Sequence, residues 1–107
     1  MPGKTILETP QAREFADTMD DLSKKKYAAL LQILSERGFL QAPFAEKVEA
    51  EDNLFALRIL TKGTYRYFYC YDTGTAVIVL SGYSKKTSRI PSSETARAIA
   101  IRKELGL

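Results

Sequence analysis

Apolar positions recur at helical spacing through the first third of the chain and switch to strand spacing from Leu54 onward. Phe15, Met19 and Leu22 follow Thr9-Pro10, where threonine suits an N-cap and proline loses nothing in the first helical turn. Ser23 is the expected N-cap of a second helix, in which Tyr27, Leu30, Leu31 and Leu34 form an i, i+3, i+4, i+7 stripe. Gly38 is its expected stop. Two amphipathic helices with almost no linker read as an αα-hairpin.

Pro43 and the acidic stretch Glu46 to Asp52 mark a change of character, with Lys47-Val48-Glu49 a candidate edge strand. In Leu54 to Leu60 the residues Phe55, Leu57 and Ile59 point one way and Arg58 the other. Lys62-Gly63 fits a tight turn, and Thr64 to Tyr71 is a strand dense in aromatic residues. After Asp72-Thr73-Gly74, the continuous apolar run Ala76 to Leu80 suits a strand buried on both faces. Ser92 and Ser93 with Glu94 can cap a last helix, Glu94 to Leu105. Residues 4–8 are a candidate further strand. The expected order is (β)ααβββα. That is an α+β fold, an N-terminal helical hairpin packed on one face of a small antiparallel sheet, with a C-terminal helix.

Composition narrows the class. A chain of 107 residues is expected to be one domain, 1–107, and 45% hydrophobic with 27% charged residues is the balance of a soluble globular protein. No apolar run is long enough for a membrane span and no signal-peptide order is present, so a cytoplasmic protein without membrane partners is expected. Cys70 is alone and histidine is absent. That removes the commonest metal ligand and general base, so no metal site or cofactor is expected. Catalysis would fall to Lys, Arg, Tyr, Ser or carboxylates.

Charge is unevenly spread. Met1 to Asn53 carries seven Lys/Arg and ten Asp/Glu, whereas Leu54 to Leu107 carries nine and three. The second half is suited to anions.

Within that half, alternation puts Arg58 and Arg66 on the same face of neighbouring hairpin strands, away from Tyr65, Tyr67 and Tyr69. Two cations so placed repel unless an anion lies between them, or unless each pairs with an acid from the Glu46 to Asp52 segment. Both arrangements stay open at this stage. The stretch Gly82-Tyr83-Ser84-Lys85-Lys86-Thr87-Ser88-Arg89 follows the apolar strand. Gly82 permits a bulge or a close backbone approach. Tyr83 offers a ring for base stacking, and Lys85 and Lys86 offer cations to phosphate, though a solvated loop has the same composition. Lys24-Lys25-Lys26 reads as a solvated face, the tyrosines of 65–71 as core and rim, and Cys70 as a small buried hydrophobe.

The segment "NLFALRIL…YRYFYCYDTGTAVIVLSGYSKKTSRIPSSETARA" resembles the RelE/ParE superfamily of toxins, in particular its HigB-like, phage-derived branch. There an "LWELR" strand is followed by "YRxFY", an apolar strand ending "HGFxKKTxKTP" and a helix. The resemblance covers Asn53 to about Arg102. It implies a RelE-like fold and a ribosome-dependent mRNA endonuclease that inhibits translation. The implied partners are mRNA, the ribosome and a cognate antitoxin, expected to be acidic and of helix-turn-helix type. Position by position it points to Arg58, Arg66, Lys85 and Lys86 as the catalytic set. Tyr83, Tyr65, Arg89 and Lys62 are expected to bind RNA. Ala56 stands where the family has glutamate and Ser81 where it has histidine. These departures keep open a second reading, a non-catalytic or ParE-like module acting on a protein such as gyrase. A DNA-binding regulator fits less well, because no helix pair carries a basic recognition face.

Overall fold

The computed structural model describes residues 3–49, 51–61, 63–84 and 89–107. The elements run β1 (Thr5–Glu8), α1 (Pro10–Ala16), α2 (Asp21–Arg37), β2 (Ala45–Lys47), β3 (Phe55–Leu60), β4 (Thr64–Asp72), β5 (Ala76–Ser84) and α3 (Ser92–Glu104). Thr9 caps α1 as expected, its Oγ1 accepting from the Ala12 amide and donating to the Leu80 carbonyl at 2.6 Å. The cap of α2 is Asp20 rather than Ser23, because the Asp20 carboxylate accepts from both the Ser23 amide and its hydroxyl. Leu22 therefore falls in the first turn and is exposed. Gly38 closes α2 in the left-handed region at φ 84°. The edge strand is Ala45–Lys47, slightly earlier than expected.

The strands form one five-stranded sheet in the order β1-β5-β4-β3-β2. Consecutive hairpins β2 to β5 are antiparallel, while β1 lies parallel to β5, so the sheet is mixed rather than purely antiparallel. The amide of Thr9 and its hydroxyl, bonded to the carbonyls of Val79 and Leu80, tie β1 and the start of α1 to β5.

The helices do not share one face. Leu57, Ile59, Tyr67, Tyr69, Val77 and Val79 meet the hairpin residues Ala12, Tyr27, Leu30 and Leu34. Ala56, Phe68, Cys70, Ile78 and Leu80 meet Ala98 and Ile101 of α3 on the other side. The reason lies in β5, whose apolar run leaves both faces needing cover. Arg102 fastens the C-terminal half of α3 to the Asp52 and Asn53 carbonyls and to Glu51.

Burial pushes the Tyr27, Tyr67 and Tyr69 hydroxyls far above the usual phenol range. Their folded-state pKa values exceed the unfolded value, so the stabilisation is complete below the unfolded pKa and is lost as pH rises past it. Each such phenol is expected to raise the unfolding constant about tenfold per pH unit above about pH 10. Urea midpoints across that range, read together with phenolate absorbance, check this; a flat midpoint would contradict it. The Cys70 thiol is likewise raised by burial and sits in the α3-side core.

Candidate functional site

Hairpin register brings three polar side chains into one row. Arg58 on β3 stands directly opposite Arg66 on β4, and Arg66 directly opposite Tyr83 on β5. Opposed residues of an antiparallel ladder project from the same face. Here it is the face that α3 covers, and the row lies at the N-terminal end of that helix: Glu94, in its first turn, acts on the charge of the Tyr83 hydroxyl. Tyr83 is raised by burial, with the Arg66 guanidinium pulling it back and Glu94 pushing it further up. Its hydroxyl therefore stays protonated at neutral pH.

The row is closed rather than open. Arg66 is 3% exposed and Tyr83 6%, whereas Arg58 is half-buried. The Arg66 Nη1 donates to the Glu46 carboxylate as an ion pair, with the Glu46 side chain 46% exposed. The acid-paired alternative is thus realised for Arg66. Glu46 sits on β2, two strands from β4, or roughly 10 Å across the ladder. On β3 the residue opposite Glu46 is Ala56 and the one opposite Arg66 is Arg58, so the bridge crosses β3 diagonally with Ala56 at its Glu46 end. A methyl group is low enough for the two long side chains to meet above β3; a long side chain at position 56 would obstruct the bridge.

Four buried polar atoms have no hydrogen-bond partner among the described residues: Arg58 Nε, Arg66 Nε, Ser81 Oγ and Tyr83 Oη. All belong to the row or to Ser81, which pairs with Phe68 beside it. Unpaired buried donors are costly and uncommon, and a cluster of them beside two guanidiniums is chemically suited to an anion rich in acceptor oxygens.

The other predicted residues are distributed as follows. Tyr83 does not present a ring for stacking on a base: β5 continues to Ser84, and the ring packs on Phe68 with centroids 5.8 Å apart. Gly82 is therefore inside the strand, not the point where the backbone leaves it. It provides a close approach, while the bulge lies at Phe68/Tyr69. Tyr65 is on the opposite face, edge-on to Phe15 with its hydroxyl donating to Asp20, so it is not gathered with the arginines. Arg89 is exposed and lines a groove with Glu46, Val48, Ser92 and Thr95, next to the row. Lys62, Lys85 and Lys86 lie outside the described residues. The last helix begins at Ser92 with Pro91 as N-cap and no side-chain cap, so Ser92 and Ser93 do not play the expected part.

Glu46 is the member of the acidic 46–52 stretch that pairs with Arg66. Its signal was available only as one acid in an acidic stretch, and pairing with Ala56 is what aims it at Arg66. Among the described residues no helix is long and apolar enough to cross a membrane.

Comparison with known proteins agrees with this architecture. No curated protein matches the sequence significantly. Among solved structures, an arginine double mutant of the E. coli toxin RelE in the free state superposes with a TM-score of 0.70 at 15% identity, covering 92% of this chain and 96% of that one. The archaeal RelE–RelB complex from Pyrococcus horikoshii gives 0.64 at 14% identity, covering 80% of this chain and 99% of that one. The YoeB dimer from Staphylococcus aureus gives 0.60 at 24% identity, with coverage of 78% and 97%. At such identities the likeness is one of fold. A family model described as phage-derived protein Gp49-like matches residues 14–103. The chain belongs to this phage-derived Gp49-like family and carries the fold of the RelE superfamily.

Proposed function

We propose that this protein is the toxin of a toxin–antitoxin pair and cleaves mRNA held on the ribosome. The observation that carries the reading is the register row Arg58–Arg66–Tyr83 with its three unpartnered polar atoms and Ser81 Oγ beside it. The fold shared with RelE and YoeB toxins supports it. An antitoxin is the proposed protein partner, since one neighbour is a toxin bound to RelB. An acidic antitoxin would complement the basic second half of the chain.

The proposed reaction is attack of a ribose 2′-oxygen on the adjacent phosphorus. The 2′ proton passes to a base, the P–O5′ bond breaks and the leaving 5′-oxygen takes up a proton. Arg58 and Arg66 would hold the phosphoryl oxygens, where fixed positive charge acts most strongly on the phosphorane. The phosphate would take the place of the Glu46 carboxylate on Arg66. Glu46, released but still beside the row, is our candidate for the base, with Lys85 and Lys86 adding positive charge. Across the strand pair from Ala56, it would stand in for the glutamate that the resemblance leads one to expect at position 56. Tyr83, kept protonated by burial, has an O–H to donate to a phosphoryl oxygen or to the leaving group. Tyr65 is not assigned a role in RNA binding; Arg89 and Lys62 are proposed to contact the backbone.

The test is induction in cells with mapping of mRNA 5′ ends, run beside a gyrase supercoiling assay. New ends in translated messages, with supercoiling untouched, are expected. Inhibited supercoiling with intact messages would establish the ParE-like alternative instead. Glu46→Gln keeps an acceptor for Arg66 but removes the base, so cleavage is expected to fall by about a hundredfold or more. A rise in cleavage would mean that Glu46 only obstructs Arg66.

A further inference from the structure

Beside the arginine row, the end of β2 and the first turns of α3 enclose a groove of about 630 Å³. That volume falls within the roughly 300–1,000 Å³ typical of ligand clefts. Its apolar lining is continuous with the core: Val48 is buried, and Ile90 and Ile99 are half-buried against the α3-side cluster. Ala96 on α3 completes that lining with a side chain of one methyl group. Glu46 belongs to the groove and to the row at once, because it lines the first and its carboxylate bonds Arg66 in the second. A phosphate that replaced this carboxylate on Arg66 would bring a neighbouring base to the groove.

The charged groups lining the groove are of two kinds. Lys47 and Arg89 are cations suited to phosphate, whereas Glu46 and Glu49 offer acceptors only. Glu46 is taken by Arg66. Glu49 is exposed, and its carboxylate has no hydrogen-bond or ion-pair partner among the described residues. A carboxylate facing a polyanion is repelled unless it accepts hydrogen bonds from it. Among base edges, the exocyclic amino groups of adenine, cytosine and guanine can donate to it. Uracil instead presents carbonyl oxygens on either side of a single N–H.

We infer that this groove receives a base adjoining the scissile phosphate, and that Glu49 selects a base carrying an exocyclic amino group over uracil. The inference rests on the RNA-cleaving reading of the row and adds to it the residue that chooses where the cut falls. No aromatic side chain lines the groove among the described residues, so stacking is not what discriminates. Val48, Ile90 and Ile99 hold the faces of the base through aliphatic contact, and the hydrogen bond at its edge supplies the selection. Glu49 is thus a specificity-determining residue, separate from the groups that act on the phosphate.

The test is cleavage of ribosome-bound reporter messages randomised around the cut, with 5′ ends mapped for the parent and for variants that thermal melts show to be folded. At one position next to the cut, uracil is expected at least about tenfold less often than adenine or cytosine. Glu49→Gln carries a carboxamide that both donates and accepts, so its ratio should fall to within about twofold of unity. Glu49→Lys, a donor only, should turn the preference toward uracil. Ala96→Leu fills part of the groove from an exposed helical position and should disfavour purines against cytosine at least several-fold. A role of Glu49 in folding alone would lower the yield of cleaved ends without moving any of these ratios. Uracil cut as readily as the amino-bearing bases, or a ratio that Glu49→Gln leaves in place, would overturn the inference while cleavage by the row stands. No cleavage of any message would overturn both.

Discussion

Arg58→Ala and Arg66→Ala are each expected to reduce translation-coupled mRNA cleavage by at least about a hundredfold, because one preorganised donor to a developing oxyanion is typically worth that much. The two substitutions should differ in what else they do. Arg58 is half-buried with no partner on its Nε among the described residues, so its removal relieves repulsion with Arg66 and costs the fold little. Arg66 is buried and paired with Glu46, but the carboxylate left behind is 46% exposed and can be hydrated. The asymmetric case is Glu46→Ala, which leaves a buried guanidinium unpaired and should destabilise by several kcal/mol, on the order of 3. Lysine at either position preserves the charge but not the planar fork, so only partial activity is expected. Growth arrest and transcript cleavage that persist in both alanine variants would end the catalytic reading of the row.

Gly82→Val is expected to cost about 3 kcal/mol of stability, and Gly82→Ala about half of that. A Cβ at this position would lie 2.5 Å from Phe15 Cδ2 and 2.9 Å from Tyr67 Cε1. The Tyr67 ring is not free to retreat, whereas Phe15 is half-buried. Tyr67 is fully buried, stacked on Tyr27 at 4.2 Å between centroids and edge-on to Phe15 at 5.5 Å. Added volume must therefore spread α1 from the sheet or force the rings off their preferred rotamers. Because position 82 neighbours Tyr83, the same substitution would disturb the row indirectly, and activity should be compared at a temperature where the variant is folded. Urea midpoints give the answer: a Gly82→Val protein within about 0.5 kcal/mol of the parent would show that the close approach is not required. Gly74, which has a positive φ and open space around its Cα, is the control; alanine there should cost only about 1 kcal/mol.

Local chemistry made much of the fold legible. Thr9-Pro10, the 27–34 stripe and Gly38 announced two helices, and the alternation of 54–60 and 64–71 announced a hairpin with its arginines on one face. The register itself could be anticipated because the short Lys62-Gly63 turn leaves few ways to pair the strands. The cap of α2 was misplaced because Asp20 and Ser23 are equally good capping residues, and the choice between them rests on Ser23 becoming buried with its hydroxyl bonded to Asp20 and Thr61. Tyr83 was misread for a related reason. A glycine after an apolar run ends a strand or lets another element approach it, and only the position of Phe15 decides which.

The sequence by itself determined the two N-terminal helices, the hairpin and the last helix in their order, though (β)ααβββα is one strand short of the observed βααββββα, together with the shared face of Arg58 and Arg66 and the basic character of the second half. These depend on periodicity and charge, which each segment carries alone. Only the tertiary structure decided that α3 covers the face opposite the hairpin, that β1 joins β5 in parallel, and that Glu46 reaches Arg66 over Ala56. Those outcomes arise between segments distant in sequence. A strand buried on both faces needs a cover from somewhere, but its own residues do not say which helix provides it. Likewise an acid at position 46 acquires its partner only when an alanine, brought beside it by strand pairing, leaves room for the bridge.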